Sequence, residues 1–465
     1  MDIWNRCLLV TCIVGLMFPL TGAAQNVPLG SWSGTLKAGG TELRLVFHIK
    51  RGDDGGLTAT MDSPDQGATG IPVSDVTATA DRVVLTVAQI GGTYEGTLTS
   101  DGSKIEGTWT QNGRSFPLTL TPADETSAKS PSRPQHPEPP YPYIQDTVAF
   151  QNESAGITLA GTLTRPQGEG PHPAVVLISG SGPQNRNSRV FNHKLFLVLA
   201  DHLTRQGIAV LRYDERGVGD SEGTYEGATS EDLARDVAAA ARFLEARPMI
   251  DSSEVGLLGM SEGGLLAPMV HTRLEAVDFL VLMAGPSVPG SKILVEQRAK
   301  IAAAKGAPSA TVDSLRRVQR RVMKIIRTAP DSAAVAEKLR PILRKQGATA
   351  KQIQSQIEEV TSPWLRYFVQ HDPAPALRQV NVPVLALYGS KDLQVPPGQN
   401  AGPMREALRQ SPSDDATVRV LEGLNHLFQP AETGLPSQYA QIDTTMAPRA
   451  LNTVSEWIRE QAPVR

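Results

Sequence analysis

The chain has 465 residues, which exceeds one typical domain, so two domains are expected. Hydrophobic residues make up 40% and charged residues 20%, proportions typical of an ordinary globular protein. The net charge of -3 argues against nucleic acid as a partner, because such binding usually leaves a strongly basic surface.

The first 24 residues have the pattern of a secretory signal peptide. A weakly positive start precedes an apolar run at 7–20, and Gly22 and Ala24 fit the small-residue pattern before a cleavage site. The run is shorter than the ~20 apolar residues that a membrane span needs, so we expect no span in the mature chain. Both cysteines, Cys7 and Cys12, lie in this segment. We therefore expect a periplasmic or secreted protein without disulfides, thiol catalysis or a Cys-ligated metal.

Residues 25–122 are predicted to form an antiparallel β domain. In TELRLVFHIKR, the apolar residues Leu43, Leu45, Phe47 and Ile49 alternate with polar ones, which is the pattern of a half-buried strand. Further short strands follow at close spacing and are separated by turns rich in Gly and Asn. This pattern predicts a sandwich or a small barrel, and the segment contains no recognisable catalytic constellation.

The sequence pattern changes after residue 143. Residues 123–143 are rich in Pro, Ser and charged residues and are predicted to form an extended, semi-rigid linker. From 144 to 465, short and nearly all-apolar strands alternate with helices, which predicts a mostly parallel sheet with helices on both faces. The predicted strands are 174–180, 209–214, 255–259, 279–285, 383–389 and 417–423.

A helical insertion at about 290–370 separates two consecutive strands of this sheet. It lies above the end of the sheet where the loops meet, so we predict that it forms a lid over an active site. One of its helices, DSLRRVQRRVMKIIRT, has an apolar face and a strongly basic face. The basic face could contact an anionic substrate or a membrane surface, but we interpret it as the solvated side of an amphipathic helix.

Two serines match the G-x-S-x-G pattern of a nucleophile elbow, Ser261 in GMSEG and Ser221 in GDSEG. Such an elbow is a strained turn between a strand and a helix, and its glycines let the two backbones pass closely. Ser261 directly follows the predicted strand 255–259 and precedes an apolar helix. Ser221 lies in a glycine-rich loop several residues past its strand. We therefore predict Ser261 as the nucleophile.

A nucleophilic serine needs a base, which an acid orients, and in such folds the chain order is Ser, acid, His. His426 sits in a loop just after a predicted strand and is the only histidine beyond Asp392. Asp392 itself lies just past another predicted strand. All three residues thus fall at the carboxyl ends of strands, where open α/β sheets place their sites. We predict Ser261, Asp392 and His426 as a catalytic triad.

Other residues are weaker candidates for the acid and the base. Asp372 and Asp214 are the alternative acids, and Asp214 is expected to brace its loop through a salt bridge with Arg216. His271 lies on the helix that leaves the elbow and should point away, and His371 comes before the strand that carries Asp392.

The tetrahedral intermediate of acyl transfer needs two backbone N–H donors. One is expected from Glu262, the residue after the nucleophile, and the other from ISGSGPQNRN, the loop after the first long apolar strand. Gly180 and Gly182 let this backbone approach a substrate closely. We assign the second donor to Ser181.

The stretches SGSGPQNRN, LRYDERGVGDSEG, LLGMSEGG, GSKDLQVP and GLNHLF together resemble the α/β-hydrolase superfamily. The chain is most similar to the secreted bacterial carboxylesterase branch, which shares its pattern with serine-aminopeptidase-like hydrolases. The resemblance covers about 170–430 and leaves the β domain outside. It implies an α/β-hydrolase fold with the triad and the two oxyanion positions given above. One departure is Ser179-Gly180, where many relatives carry His-Gly.

These observations predict an exported serine hydrolase that cleaves small-molecule carboxylic esters through an acyl-enzyme, with no metal or organic cofactor implied. A serine aminopeptidase or a thioesterase on the same triad is the first alternative. An aminopeptidase needs a free acidic side chain near the site to hold the substrate amine, and Glu262 is a candidate. The second alternative is a non-enzymatic binding protein, in which the β domain binds and the hydrolase domain is inactive.

Overall fold

The computed structural model describes residues 28–463 apart from short gaps, which are 39–40, 53–54, 80, 112, 125–126, 130 and 275–276. The predicted signal peptide, 1–24, lies outside the described residues. The described chain contains two large β sheets with separate hydrophobic cores.

The first sheet contains nine antiparallel strands. They are β1 (Gly30–Ala38), β2 (Thr41–Arg51), β3 (Leu57–Ser63), β4 (Ala68–Pro72), β5 (Asp75–Ala78), β6 (Arg82–Val87), β7 (Gly92–Leu98), β8 (Ile105–Gln111) and β9 (Arg114–Pro122). Their order in the sheet is β4-β3-β2-β1-β9-β8-β7-β6-β5. The two edge strands, β4 and β5, follow each other in the chain, so the sheet curls towards closure as a half-open barrel. One core fills it, which favours the barrel-like alternative over a sandwich.

The alternation predicted for β2 is visible in this core. Leu45, Phe47 and Ile49 are buried, and the ring of Phe47 stacks on Tyr94 with centroids 5.9 Å apart. Trp109 packs against the same phenylalanine at 6.2 Å. The aromatic cluster therefore joins the β1–β4 half of the sheet to the β5–β9 half.

The segment between the two sheets, 123–143, is anchored by its own side chains. Gln135 hydrogen-bonds the backbone of residues 445–446 with both ends of its amide. Arg133 is only 7% exposed. Its guanidinium donates to the backbone carbonyls of Phe191, Ala440 and Ile442. The connection thus lies against the second domain along part of its length.

The second large sheet contains eight strands. They are β10 (Ile144–Asn152), β11 (Ile157–Arg165), β12 (His172–Ile178), β15 (Ala209–Tyr213), β16 (Ile250–Met260), β17 (Phe279–Met283), β18 (Val384–Gly389) and β19 (Ala416–Leu421). Their order is β10-β11-β15-β12-β16-β17-β18-β19. The six strands from β15 to β19 in this order are parallel. A separate small hairpin, β13 (Arg189–Val190) and β14 (His193–Lys194), follows β12.

Every strand predicted after residue 143 is present and parallel, but the antiparallel hairpin β10–β11 at the edge is not predicted by the sequence pattern. Strand β10 alternates between partly buried and exposed residues along most of its length. It therefore lacks the apolar run that marks the inner strands, which are buried on both faces.

The helices cover both faces of this sheet. They are α1 (Leu195–Arg205), α2 (Ser230–Glu245), α3 (Gly263–His271), α4 (Gly290–Ala304), α5 (Ser309–Thr328), α6 (Ser332–Lys345), α7 (Ala350–Thr361), α8 (Pro363–Gln370), α9 (Ala374–Leu377), α10 (Pro397–Arg409) and α11 (Pro448–Gln461). Helices α1 and α11 share one core, and α2, α3 and α10 share the core on the opposite face. This arrangement confirms the predicted α/β-hydrolase architecture.

Helices α4 to α8 occupy the predicted insertion. Buried side chains such as Ile326, Leu339 and Phe368 join the core that lies under α2 and α3. The insertion is therefore a packed part of the domain and covers one end of the sheet. Within the described part of the chain, no helix combines the length and the apolar composition needed to cross a membrane.

Candidate active site

Ser261 occupies a tight turn between β16 and α3. Its φ of 55° lies in the left-handed region, which a non-glycine residue adopts only where the surrounding structure fixes it. The N–H of Ser261 donates to the carbonyl of Met283 on the neighbouring strand at 2.8 Å. A Cβ at Gly263 would lie 2.2 Å from the carbonyl oxygen of Ile178, so only glycine fits there. Ser261 therefore has the strand–turn–helix geometry of a nucleophile elbow.

Asp392 and His426 lie on the loops that follow β18 and β19, and a hydrogen bond joins them. His426 Nδ1 is 2.8 Å from Asp392 Oδ2, and both residues are buried. The other carboxylate oxygen, Oδ1, accepts from the N–H groups of Gln394 at 2.7 Å and Val395 at 2.9 Å, which orients the carboxylate. When Nδ1–H donates to Asp392, Nε2 of His426 remains as an acceptor.

Ser261 and His426 line the same cleft. Both residues belong to the described part of the chain, and their side chains form no hydrogen bond with each other there. Catalytic hydrogen bonds are often long until substrate binds, so this geometry is compatible with a Ser–His pair. The three residues predicted as a triad thus lie at one end of the sheet, beyond the carboxyl ends of β16, β18 and β19.

The loop after β12 passes directly over Ser261. A Cβ at Gly180 would lie 3.1 Å from the Cβ of Ser261. Ser181 and Glu262 are the two predicted oxyanion donors, and their backbone N–H groups donate to no other residue that the structure describes. Glu262 is the N-cap of α3, where the first N–H groups have no acceptor within the helix. Two such donors beside a serine suit a developing oxyanion.

A buried carboxyl group, that of Glu215, holds this loop from behind. Its Oε1 accepts from Ser179 Oγ and its Oε2 accepts from the N–H of Gln184, each at 2.8 Å. The hydroxyl of Tyr225 accepts from the N–H of Gly182 at 3.0 Å. Burial raises the pKa of Glu215 to about 8, and its two hydrogen bonds partly oppose that rise. The sequence does not predict that Glu215 and Tyr225 support this loop. Their only signal in the sequence is that both lie in the stretch YDERGVGDSEGTYEG.

The side chain of Glu262 is not available to bind an amine. The residue is 2% exposed, and its carboxylate accepts from Ser230 Oγ at 2.5 Å and from Trp364 Nε1 at 2.8 Å. Burial raises the pKa of Glu262, and hydrogen bonds from Ser230, Ser181 and Trp364 oppose the rise. The hypothesis that Glu262 holds a substrate amine is therefore wrong. The carboxylate instead belongs to a buried network that ties α8 of the lid to the elbow.

The alternative serine and acid serve the loop after β15. Ser221 Oγ donates to the backbone carbonyl of Asp214 at 2.6 Å, so this serine stabilises its own loop. The expected pairing of Asp214 with Arg216 is wrong, because Asp214 binds Arg186 of the oxyanion loop. Arg216 binds Asp236 on α2 at 2.7 Å. Both aspartates are buried and each pairs with an arginine from another element. Closeness in sequence therefore does not show which arginine pairs with which aspartate.

The other candidates for the acid and the base lie outside the triad arrangement. His271 Nε2 lies 2.7 Å from Asn381 Oδ1. His371 stacks on the ring of Tyr367 with centroids 5.3 Å apart. Asp372 accepts from the N–H of Ala374 and so caps the short helix α9.

A cleft of about 1200 Å³ contains Ser261 and His426. It exceeds the ~300–1,000 Å³ of most small-molecule sites. The oxyanion loop and the hairpin β13–β14 form one side, and the lid forms the other. The apolar wall of the lid includes Ile293, Val322, Leu339, Leu343, Leu365 and Phe368. The site can therefore accommodate a substrate much larger than a short ester.

Comparison with known proteins identifies the family of this chain. Residues 189–432, just over half of the chain, match the family described as serine aminopeptidase, S33. The chain belongs to this family. The matched region contains all three residues of the predicted triad and leaves out the first sheet.

This S33-family chain is 27% identical to esterase EstD of Thermotoga maritima over 322 residues, which cover 68% of this chain and 69% of EstD. It is also similar to two solved structures. The α/β hydrolase GrgF of Penicillium sp. has 14% identity and a TM-score of 0.44, over 69% of this chain and 99% of GrgF. Est1E of Butyrivibrio proteoclasticus, solved with ferulic acid bound, has 15% identity and a TM-score of 0.41, over 67% and 96%. The S33-family chain is a serine hydrolase of the esterase type.

Proposed function

We propose that this protein is an exported carboxylesterase that cleaves esters through an acyl-enzyme on Ser261. The observation that carries the proposal is the 2.8 Å contact between Asp392 and His426 at a cleft that also contains the elbow serine. The similarity to esterase EstD supports an ester rather than an amide as the substrate.

In the proposed mechanism, Ser261 Oγ attacks the ester carbonyl carbon while His426 Nε2 takes its proton. Asp392 accepts the Nδ1–H, holds the imidazole tautomer and stabilises the imidazolium. The N–H groups of Ser181 and Glu262 stabilise the oxyanion. The imidazolium then protonates the leaving alcohol, and the acyl group stays on Ser261. Water, activated by His426, attacks the acyl carbonyl, and Ser261 regains its proton as the acid leaves.

A second candidate is the removal of N-terminal residues, because the family description names an aminopeptidase. The buried carboxylate of Glu262 cannot hold the substrate amine. Among the described residues that line the cleft, Glu359 is the one with a carboxylate. Hydrolysis of aminoacyl nitroanilides that is lost in Glu359→Gln would favour this candidate.

The test of the esterase proposal is hydrolysis of a short acyl nitrophenyl ester by the mature protein, Ser261→Ala and Ser221→Ala. Ser261→Ala should lower kcat by at least ~10⁴-fold, because the nucleophile is removed. Ser221→Ala should leave kcat within about tenfold of wild type, because its loss removes hydrogen bonds worth ~1–3 kcal/mol of stability and no reacting group. Full activity in Ser261→Ala would refute the assignment.

The export part of the proposal rests on the first 24 residues, which match a signal peptide in pattern. Expression in a bacterial host should place the full chain outside the cytoplasm and remove this segment. A chain that begins at residue 25 should stay in the cytoplasm. Cell fractionation and the mass of the mature protein measure both outcomes, and an uncleaved cytoplasmic full chain would overturn the idea.

A further inference from the structure

The first β sheet reaches the substrate cleft. The turn between β8 and β9 contains Gly113, and its carbonyl accepts from Gln352 Nε2 on lid helix α7 at 3.4 Å. Arg114, the first residue of β9, lines the same cleft as Ser261. A second contact joins Arg189 of hairpin β13–β14 to the carbonyl of Gly67. The first sheet therefore contacts the two elements that form opposite sides of the cleft.

Near Arg114, the turn between α6 and α7 carries exposed positive charges, which border the cleft without lining it. The chain contains Arg344, Lys345 and Lys351 around the turn between α6 and α7, and no Asp or Glu between 338 and 357. The stem of Lys351 lies 3.4 Å from where a Cβ at Gly113 would be. Within the described part of the chain, none of these four cations forms an ion pair. We call them the cationic rim.

The cationic rim lies far from the reacting centre along the lid. Helix α7 spans nine residue steps from Gln352 to Thr361, or ~14 Å at 1.5 Å per residue. Trp364, three residues further, hydrogen-bonds Glu262 next to the nucleophile. The cleft wall formed by α6 and α7 includes the apolar side chains of Leu339, Leu343 and Val360, beside polar ones such as Gln356. The cleft therefore joins the proposed ester-cleaving centre to Arg114 past a wall that is partly apolar.

We propose that the substrates are esters whose acyl chain ends in an anionic group, a carboxylate or a phosphate, and that Arg114 of the first sheet selects for it. This inference rests on the proposed esterase function and names its substrate class. The apolar part of the cleft wall fits an acyl chain, and Arg114 supplies a cation that forms no ion pair among the described residues. The first sheet thus contributes to specificity and not to the chemistry.

Glu359 is the charge that opposes this selection. It lies on α7 seven residues after Gln352 and lines the cleft between the rim and the elbow. Its carboxylate should repel an anionic chain end that stops short of the rim. The proposal therefore predicts a minimum chain length, below which an anionic end gives no advantage.

The test compares nitrophenyl esters of one medium-length acyl chain that ends in a carboxylate, a phosphate or a neutral methyl ester. The readout is the ratio of kcat/KM for each anionic ester to that for the neutral ester. In wild type the ratio should be about two- to fivefold, the range that a partly exposed ion pair supplies. It should fall as salt rises, because salt screens exposed charges. The anionic ester with the larger ratio shows whether the cationic rim prefers a carboxylate or a phosphate at the chain end.

Arg114→Ala should bring the ratio to about one, and Arg114→Lys should keep most of it because the charge remains. Glu359→Gln should raise the ratio. Lys104→Ala, which removes an exposed cation of the same sheet outside the cleft, should leave it unchanged. A wild-type ratio near one, or a ratio that survives in Arg114→Ala, would overturn the proposal while esterase activity stands. Loss of hydrolysis of all three esters in wild type would refute the proposed function itself.

Discussion

Glu215 holds both ends of the loop that passes over Ser261, through Ser179 Oγ and the N–H of Gln184. Burial raises its pKa to about 8, so the carboxyl group is protonated at neutral pH in the folded protein. When the carboxyl is protonated on Oε1, the bond with Ser179 reverses, so that Oε1–H donates to Ser179 Oγ while Oε2 still accepts from the N–H of Gln184. The support of the oxyanion loop therefore depends on the protonation of one buried group.

The contribution of Glu215 to the free energy of unfolding should fall as pH rises from about 4.5 to about 8. The folded-state pKa of Glu215 is raised, so the folded protein retains a proton that the unfolded chain has lost in this window. Its contribution is complete below the unfolded pKa and is lost as pH passes the folded value. One proton changes the free energy of unfolding by at most ~1.4 kcal/mol per pH unit.

Urea denaturation of wild type and Glu215→Gln across this pH range measures the effect. The glutamine side chain can make the same pair of hydrogen bonds as the protonated acid, so the variant should lose less stability with pH than wild type. Glu215→Ala should lower kcat by about tenfold or more, because the oxyanion loop loses both anchors. Identical pH slopes in wild type and Glu215→Gln would contradict the assignment.

At this scale the sequence brings forward the residues of the proposed triad, but it does not predict the residues that support them. Ser261 is marked by its immediate neighbours, and Asp392 and His426 by their places after successive strands. Glu215 and Trp364 act on residues far away in sequence, through contacts that only the folded sheet and lid create. No local pattern of apolar or turn residues encodes such a contact.

At the scale of elements, the lid is connected to the elbow through α8. Trp364 Nε1 donates to both carboxylate oxygens of Glu262, at 2.8 and 3.0 Å, and its ring stacks on Phe368 with centroids 5.5 Å apart. Glu262 also supplies a proposed oxyanion N–H. Movement of α8 should therefore disturb the position of that donor.

Trp364→Phe tests this connection, because it keeps an aromatic ring beside Phe368 and removes only the N–H donor. A buried carboxylate that loses a partner costs ~1–3 kcal/mol, so stability should fall by that amount. We expect kcat to fall about tenfold as the donor beside Ser261 shifts. Trp457→Phe is the control, since that buried indole packs on Phe279 away from the cleft. Equal losses of kcat in the two variants would show that the connection has no role in catalysis.

The sequence predicts best those elements in which the apolar residues follow one clear pattern. Buried parallel strands such as β12 and β17 are apolar except for His172 at the start of β12, and each helix α4–α8 of the lid falls inside the predicted insertion. The curl of the first sheet depends on how its nine strands pack around one core. The sequence pattern therefore does not decide between a barrel and a sandwich. Strand β10 of the edge hairpin escapes prediction because it alternates between partly buried and exposed residues and lacks the apolar run of the inner strands.

At the scale of the whole molecule, Arg133 anchors the connection between the two sheets to the second domain. Burial lowers the pKa of Arg133, while Asp443 and Asp65 oppose that change, and its guanidinium donates to three backbone carbonyls. These carbonyls belong to segments near the hairpin β13–β14 and α11. The Pro-rich sequence around Arg133 predicts a solvated spacer. The buried carbonyls that accept from Arg133 come together only in the folded protein.

Arg133→Ala should loosen this connection. The change leaves the carbonyls of Phe191, Ala440 and Ile442 without their donor, which costs ~1–3 kcal/mol in the free energy of unfolding. Arg242→Ala, which removes an exposed arginine of α2, should change stability by less than ~0.5 kcal/mol. Calorimetry measures both values.

A protease of broad specificity should also cut Arg133→Ala faster within 123–143, because local opening of that segment no longer breaks three hydrogen bonds. Since Arg114 reaches the cleft only while the first sheet stays in place, Arg133→Ala should also weaken the selectivity for anionic acyl chains. Unchanged proteolysis together with full selectivity would show that contacts of the first sheet with the lid and the hairpin hold it in place without the connection.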